Sequence, residues 1–218
     1  SFKGNPTVKD SIEAIGVPHS EVELILVNGK SVNFNYHLQN KDFISVYPMF
    51  ESFDITPLIK LHPQPLRITK FILDIQLGKL AKKLRMLGFD TLYKNNYVDK
   101  QIIEIAREEH RIILTRDKTL LKNKLVTHGY WVRNTDPELQ FIEIIQRFDI
   151  KNQINPFTRC MVCNQKVVQV EKDEIADQLQ PKTKKYFNEF FQCVQCKKIY
   201  WKGSHFQKMK QKINTLLP

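Results

Sequence analysis

Two acidic residues stand where predicted strands end. Asp74 closes the apolar run FIL, and Asp117 stands two residues after the end of the predicted strand RIILT. The carboxyl ends of parallel strands share one edge of a sheet, so we expect these side chains to be neighbours. Buried carboxylates lose hydration and repel each other unless a cation meets them. Mg²⁺ or Mn²⁺ takes such ligands together with water and phosphate oxygens. The pair predicts a divalent metal site.

Two further acidic residues have a competing interpretation. Asp99 precedes KQIIEIA, and Asp136 precedes Pro137, a residue favoured at the first position of a helix. An aspartate before a helix commonly caps its free backbone N–H groups. From the residues alone, capping is the favoured interpretation of both.

The four cysteines form two C-x-x-C pairs with 29 residues between them, which are Cys160 with Cys163 and Cys193 with Cys196. No secretory pattern favours disulfides. Two facing pairs supply four thiolates, which is typical of a structural Zn²⁺ site. A full thiolate shell leaves no open position, so we do not expect this zinc to catalyse a reaction.

The net charge of +11 is unevenly distributed. Residues 1–65 carry 5 basic and 7 acidic side chains, residues 66–150 carry 16 and 11, and residues 151–218 carry 13 and 5. A basic surface of this kind favours a polyanion partner, and we predict RNA. The alternative is a solvated basic surface with no partner.

Basic residues near the acidic site are predicted phosphate contacts. The segment GKLAKKLRMLG reads as a helix whose leucines face the core and whose cations fall outside that face. Lys79 and Arg116 are candidates for stabilising charge during catalysis. The predicted contacts with nucleic acid in this region are Lys82, Lys83, Arg85 and Lys118.

The tail KKIYWKGSHFQK interleaves cations with aromatic rings, a combination that suits phosphates and stacked bases. The predicted RNA contacts here are Lys197, Lys198, Tyr200, Trp201, Lys202 and His205. Tyr200 or Trp201 could instead pack the core of the ribbon. His205 could equally be an ordinary surface histidine.

The elements that position these residues follow from periodicity. A capped helix, the strand VELILV, an Asn28-Gly29 turn, SVNFNY and FISVYP indicate a β-grasp domain lacking its first strand or two. After a proline-rich linker, strands and helices alternate, which favours an α/β domain with a parallel sheet covered on both faces by helices. The predicted boundaries are 1–52 for the β-grasp domain, 53–66 for the linker, 67–150 for the α/β domain and 151–218 for the zinc ribbon.

No apolar run approaches about 18 residues and no signal peptide is recognisable, so we expect a cytoplasmic protein without a membrane partner. The patterns do not predict an oligomeric state.

The N-terminal segment TVKDSIEAIGVPHSEVELILVNGKSVNF, with DFISVYPMF, resembles ubiquitin-like domains related to small sulfur carriers. Those carriers act through a terminal Gly-Gly. Here Phe50 continues into SFDITPLIK, so a carrier role is not expected. A module that docks a protein partner or orients RNA, and an appendage that only adds stability, both remain open.

A wider resemblance covers nearly the whole chain. FILDIQLGKLAKKLRMLGFDT, RIILTRDKTLL and NTDPELQFIEII resemble the PIN-like ribonuclease family named after the C-terminal domain of the Mutator-seven exonuclease. That family usually joins a ubiquitin-like domain, a PIN-like domain and a zinc ribbon. The resemblance implies metal-dependent cleavage of RNA by Asp74, Asp99 and Asp117, with Asp136 as a fourth carboxylate. One or two ions would activate water and stabilise charge on the phosphate.

The expected substrate is transfer RNA or another structured RNA with a single-stranded end. Two alternatives remain. One is a non-catalytic RNA-binding or adaptor protein in which the aspartates are only helix caps. The other is a zinc-ribbon factor that binds DNA.

Overall fold

The computed structural model describes residues 4–48, 61 and 69–216. The chain divides into two compact units, Ser1–Gly78 with Tyr93–Thr135 and Lys79–Leu92 with Asp136–Pro218. In the described ranges, no helix is both long and apolar enough to cross a membrane. The four domain boundaries inferred from the sequence are a different division and stay predictions.

The first unit begins with a helix and a small antiparallel sheet, comprising α1 (Val8–Ala14), β1 (Val22–Val27), β2 (Lys30–Val32) and β3 (Ile44–Pro48). β1 is central, with β2 and β3 on either side. Thr7 starts α1 through a reciprocal capping box with Asp10. The predicted order of helix, strand, hairpin and strand is confirmed.

One predicted strand is shorter than expected. SVNFNY pairs only as far as Val32. Beyond it, Asn33 closes a turn, because its side-chain oxygen accepts from Asn35 N at 3.0 Å and its carbonyl accepts from Tyr36 N at 3.2 Å. The side-chain hydrogen bond competes with the sheet ladder, which is a common behaviour of asparagine. The predicted linker lies outside the described residues apart from Leu61.

The same unit contains a parallel sheet formed by β4 (Lys70–Leu73), β6 (Ile112–Thr115) and β7 (Gly129–Trp131), with β6 between the other two. The pairings include Leu73 with Leu114 and Thr115 with Trp131. α3 (Asp99–Glu108) contacts β4 and β6, and α4 (Lys118–Leu121) contacts β6 and β7. The α/β prediction, with a parallel sheet flanked by helices, is confirmed.

The second unit contains α2 (Gly78–Met86), β5 (Asp90–Leu92), α5 (Pro137–Phe148) and a three-stranded antiparallel ribbon. Gly78, the first residue of α2, is still assigned to the first unit. The ribbon consists of β8 (Val167–Val170), β9 (Phe190–Cys193) and β10 (Ile199–Trp201), with β9 in the middle. α6 (Pro181–Tyr186) lies in the segment between β8 and β9, and α7 (Ser204–Leu216) follows β10. These elements form a ribbon with an inserted segment, as the sequence predicts.

Candidate functional site: a carboxylate group and a cysteine cluster

Asp74 lies at the carboxyl end of β4 and is 7% exposed. Its Oδ1 accepts from Ile75 N at 2.6 Å, and its Oδ2 accepts from Thr115 Oγ1 at 2.8 Å. The burial predicted for a carboxylate at the end of this strand is therefore real. Two donors compensate for part of the lost hydration.

Thr115 connects the first carboxylate to the second. Its hydroxyl donates to Asp74 and accepts from Asp117 N at 2.9 Å. Asp117 is exposed, and its Oδ1 accepts from Thr119 N at 2.7 Å at the start of α4. Sequence reasoning missed Thr115, although the tripeptide TRD at the end of a buried strand was a signal that could have identified it.

Asp99 is the first residue of α3, and Val98 rather than Asp99 occupies the cap position. The capping interpretation of Asp99 is therefore wrong. Although its side chain is exposed, neighbouring atoms remove part of its hydration, which raises the pKa of Asp99. The negative charges of Asp74 and Asp117 raise this pKa further. The three carboxylates therefore interact electrostatically, as a group that attracts cations does.

Asp136 belongs to the second unit and caps α5. Its Oδ1 accepts from Glu138 N at 2.8 Å and from Leu139 N at 3.1 Å. Pro137 occupies the first helical position, as the sequence predicts. A capping role accounts for this aspartate, and a metal-binding role for it stays a prediction.

Two basic residues follow Thr115 in the chain. Arg116 is half-buried, and its Nε is shielded from solvent without an acceptor among the described residues. Lys118 Nζ lies 3.8 Å from the centre of the Trp131 ring, an arrangement that stabilises a cation on an aromatic face. Trp131 thus holds Lys118 one residue beyond Asp117.

The predicted phosphate contacts on α2 have three different environments. Lys79 and Lys82 are exposed. Lys83 is half-buried and forms an ion pair with Glu138 at 2.5 Å. Exposure is compatible with RNA binding by the first two, whereas Lys83 already has a carboxylate partner.

Arg85 requires a correction. It is 4% exposed, so its guanidinium has little surface to offer to a phosphate. Nε donates to the Thr91 carbonyl at 2.9 Å, and Nη1 donates to the carbonyls of Met161 and Val162 at 3.2 and 2.8 Å. Arg85 therefore attaches the first cysteine loop to α2 and β5, and the prediction that it contacts RNA is wrong.

The four cysteines form a compact cluster, with all Sγ atoms within 4.8 Å of one another. Cys160 and Cys196 are 3.6 Å apart, and Cys163 and Cys193 are 3.3 Å apart, measured between sulfurs. In a tetrahedral zinc site with Zn–S bonds of about 2.3 Å, sulfurs lie about 3.8 Å apart. The cluster is suited to binding a metal ion. In the described part of the chain, no other group of histidine, cysteine or acidic side chains gathers as closely.

The two cysteine loops share a backbone feature. Asn164 and Lys197, each directly after the second cysteine of a pair, have positive φ angles of 70° and 59°. Asn164 also joins the first loop to β5, because its Oδ1 accepts from Thr91 N and its Nδ2 donates to Asp90 Oδ1, both at 2.8 Å. Sequence reasoning missed this residue, and a lone asparagine gave no signal of its role.

Tyr200 supports the cysteine cluster. Its hydroxyl lies 3.1 Å from Cys160 Sγ. Burial raises the pKa of the Cys160 thiol, but the hydrogen bonds from Tyr200 and from the backbone of Cys163 and Val162 outweigh it and lower the pKa to about 6. Burial and Cys160 together raise the pKa of Tyr200. Of the two rings considered for the ribbon core, Tyr200 is the one tied to the cysteines.

The other predicted RNA contacts of the tail are on the surface. Lys197, Lys198, Trp201 and Lys202 are exposed, and Lys202 pairs with Glu189 at 2.7 Å. The side chain of His205 lies outside the described residues. Exposure leaves the first three accessible to a polyanion.

Comparison with known proteins gives two family matches. The model described as Mut7-C RNAse domain matches residues 69–213, and the model described as Mut7-C ubiquitin matches residues 1–54. The chain is also similar to a human protein described as exonuclease mut-7 homolog, with 30% identity over 106 residues. That alignment covers 46% of this chain and only 12% of the human protein. No solved structure is significantly similar to the chain.

Proposed function

The chain belongs to the Mut7-C RNase family, and on that premise we propose that it is a Mg²⁺- or Mn²⁺-dependent ribonuclease that hydrolyses phosphodiester bonds of RNA. The observation that supports this proposal most directly is the carboxylate group. Asp74 and Asp117 are joined through Thr115, and both raise the pKa of Asp99. Mutually repelling carboxylates that remain together are well suited to divalent cations.

In this proposal Asp74, Asp99 and Asp117 hold one or two ions. The ions would supply an activated water and stabilise negative charge on the phosphate. Thr115 keeps Asp74 in place through its hydroxyl. Arg116 is half-buried and directly precedes Asp117, so we propose that its guanidinium helps to bind the scissile phosphate. Lys79 remains a candidate for stabilising the negative charge that develops during catalysis.

The cysteine cluster would hold a structural Zn²⁺. Four thiolates within 4.8 Å of one another fill a tetrahedral shell, and water then has no position on the ion. Residues 151–218 carry 13 basic and 5 acidic side chains, which supports the proposal that the ribbon binds RNA phosphates. Transfer RNA, or another structured RNA with a single-stranded end, is the proposed substrate, and the cytoplasm is the proposed location.

The proposal is tested by replacing Asp74 and Asp117 with asparagine, singly and together. Each change removes a negative charge and keeps the size of the side chain. Cleavage of single-stranded RNA in Mg²⁺ or Mn²⁺ should fall by more than about 100-fold, since even residues that only support metal ligands contribute about 10–100-fold. Affinity for RNA should be retained.

Asp149→Asn is the matched control. Asp149 is exposed at the end of α5 with a positive φ of 48°, a conformation that asparagine also adopts readily. Its activity should equal that of the unmodified protein. Unchanged cleavage by a pure Asp74→Asn, Asp117→Asn preparation would contradict the proposal. Metal-independent binding of duplex DNA in preference to RNA would favour the DNA-binding alternative.

A further inference from the structure

The second unit contains a cavity beside the cysteine cluster, and none of the three carboxylates lines it. It measures about 560 Å³. Five aromatic residues line it, namely Phe157, Phe191, Tyr200, Trp201 and Phe206. The rings of Phe157 and Phe206 pack against each other with their centres 4.2 Å apart. The walls are therefore suited to a flat apolar group.

Cations line the same cavity. Arg159, Lys198 and Lys202 contribute to its wall. Arg159 pairs with Asp90 at 3.2 Å, and Lys202 pairs with Glu189, whereas Lys198 is exposed at the surface. A ligand that combines a flat ring with a negative charge fits this lining, because the rings can contact its flat face and Lys198 can attract its charge, while Arg159 and Lys202 already have carboxylate partners.

We propose that this cavity binds one unpaired base of single-stranded RNA, with the base stacked on Trp201 and the adjoining phosphate near Lys198. The inference rests on the proposed function for the choice of RNA as the polyanion. The volume lies within the range of about 300–1,000 Å³ that is usual for ligand sites. Thr158, Gln169 and Ser204 also line the cavity and offer polar groups to the edges of a base.

Trp201 is the stacking ring for two reasons. It is 37% exposed at the end of β10, so part of the indole is accessible, whereas the hydroxyl of Tyr200 is hydrogen-bonded to Cys160. Gly203 leaves room for the indole in this position, because a Cβ on Gly203 would lie 2.8 Å from Trp201 Nε1. Gly203→Ala should therefore displace the ring without removing it.

The test measures binding by the full chain in buffer without added divalent cations, so that no cleavage interferes. A fluorescent single-stranded oligoribonucleotide is compared with a matched oligonucleotide in which every residue is abasic. Loss of the bases should weaken binding by the unmodified protein by about 5-fold to 150-fold, the range for one stacked base. Trp201→Ala should lose a similar factor on normal RNA and should no longer distinguish the two oligonucleotides.

Trp201→Phe retains a ring and should keep most of the affinity, whereas Gly203→Ala should behave like Trp201→Ala. Tyr186→Ala is the matched control, because Tyr186 is 68% exposed in the same unit and does not line the cavity. Its affinity should not change. Zinc content and circular dichroism identify any variant that has lost its fold, and the abasic comparison on the unmodified protein decides the matter without a variant.

Equal affinity of the unmodified protein for normal and abasic RNA would overturn the inference. So would unchanged RNA binding by a folded Trp201→Ala variant. Failure of the proposed function has a different signature, which is base-dependent binding that persists while RNA is not cleaved in Mg²⁺ or Mn²⁺. Cleavage that persists without base-dependent binding would instead reject only this cavity.

Discussion

At the scale of single residues, the hydroxyl of Thr115 is the central contact of the carboxylate group. It is fully buried and joins the side chain of Asp74 to the backbone of Asp117. Thr115→Val keeps the shape and removes both hydrogen bonds. We expect a loss of about 1–3 kcal/mol of unfolding free energy, because buried polar groups lose their partners. We also expect a 10–100-fold loss of RNA cleavage, by analogy with supporting residues of metal sites.

Urea unfolding and a cleavage assay measure the two effects. Thr91→Val provides the comparison, because Thr91 is also fully buried and its hydroxyl donates to the Phe89 carbonyl at 3.1 Å. It should reduce stability while cleavage at permissive temperature stays near normal. If both variants lose cleavage equally, the effect of Thr115→Val is only a loss of stability.

Because of Asp99, the stability of the folded protein should depend on pH. Its pKa is raised in the folded protein by lost hydration and by Asp74 and Asp117, so between pH 3.8 and the raised pKa the folded state holds more protons than the unfolded state. Stability without divalent cations should therefore fall as the pH rises through the raised pKa. Asp99→Asn should reduce this fall, and it should weaken stabilisation by Mg²⁺ or Mn²⁺.

Melting temperatures measured across the acidic range, with and without Mn²⁺, follow both effects. Binding of an ion stabilises the folded state in proportion to the logarithm of its concentration. Asp149→Asn again serves as the control, since its side chain lies outside this group. Equal stabilisation by Mn²⁺ in Asp99→Asn and in the unmodified protein would remove Asp99 from the set of ligands.

At the scale of elements, Arg85 connects α2 and β5 to the first cysteine loop. Arg85→Met keeps the aliphatic part of the side chain but leaves the carbonyls of Thr91, Met161 and Val162 without this donor. We expect a loss of about 2–4 kcal/mol, given the value of hydrogen bonds from charged donors. The loosened loop should also release Zn²⁺ faster to a chelator. Lys82→Met, an exposed change on the same helix, should alter neither quantity.

The elements show where sequence reasoning succeeds and where it stops. Thr7 and Asp136 start helices through contacts two or three residues away, so a short window of sequence reveals them. Arg85 reaches carbonyls 76 and 77 residues away, and Tyr200 reaches Cys160 over 40 residues. On a helical wheel Arg85 resembles a surface cation, because only folding brings its partners beside it. The cysteine cluster was predictable because the spacing of its residues is itself the signal.

At the scale of the whole molecule, the first unit shows how the ubiquitin-like part meets the parallel sheet. Glu21 is buried, and its carboxylate accepts from Trp131 N at 2.6 Å and from Arg133 Nη2 at 2.9 Å. His19 Nε2 lies 3.1 Å from the Val126 carbonyl oxygen. Since Trp131 also carries Lys118 on its ring, the ubiquitin-like part is linked to the residue that follows Asp117. On these contacts we propose that the ubiquitin-like part positions Lys118.

Glu21→Ala tests this role. It leaves Trp131 N and the Arg133 guanidinium without the carboxylate, so we expect a loss of about 2 kcal/mol, a typical value for hydrogen bonds to a charged group. Because the change also frees Trp131 and hence Lys118, RNA cleavage should fall at temperatures where the protein is still folded. Glu104→Ala removes an exposed carboxylate whose nitrogen partner, Lys100, is 3.9 Å away, and should cost less than about 0.5 kcal/mol. If Glu21→Ala lowers stability but leaves cleavage by the folded protein unchanged, the ubiquitin-like part only stabilises the sheet.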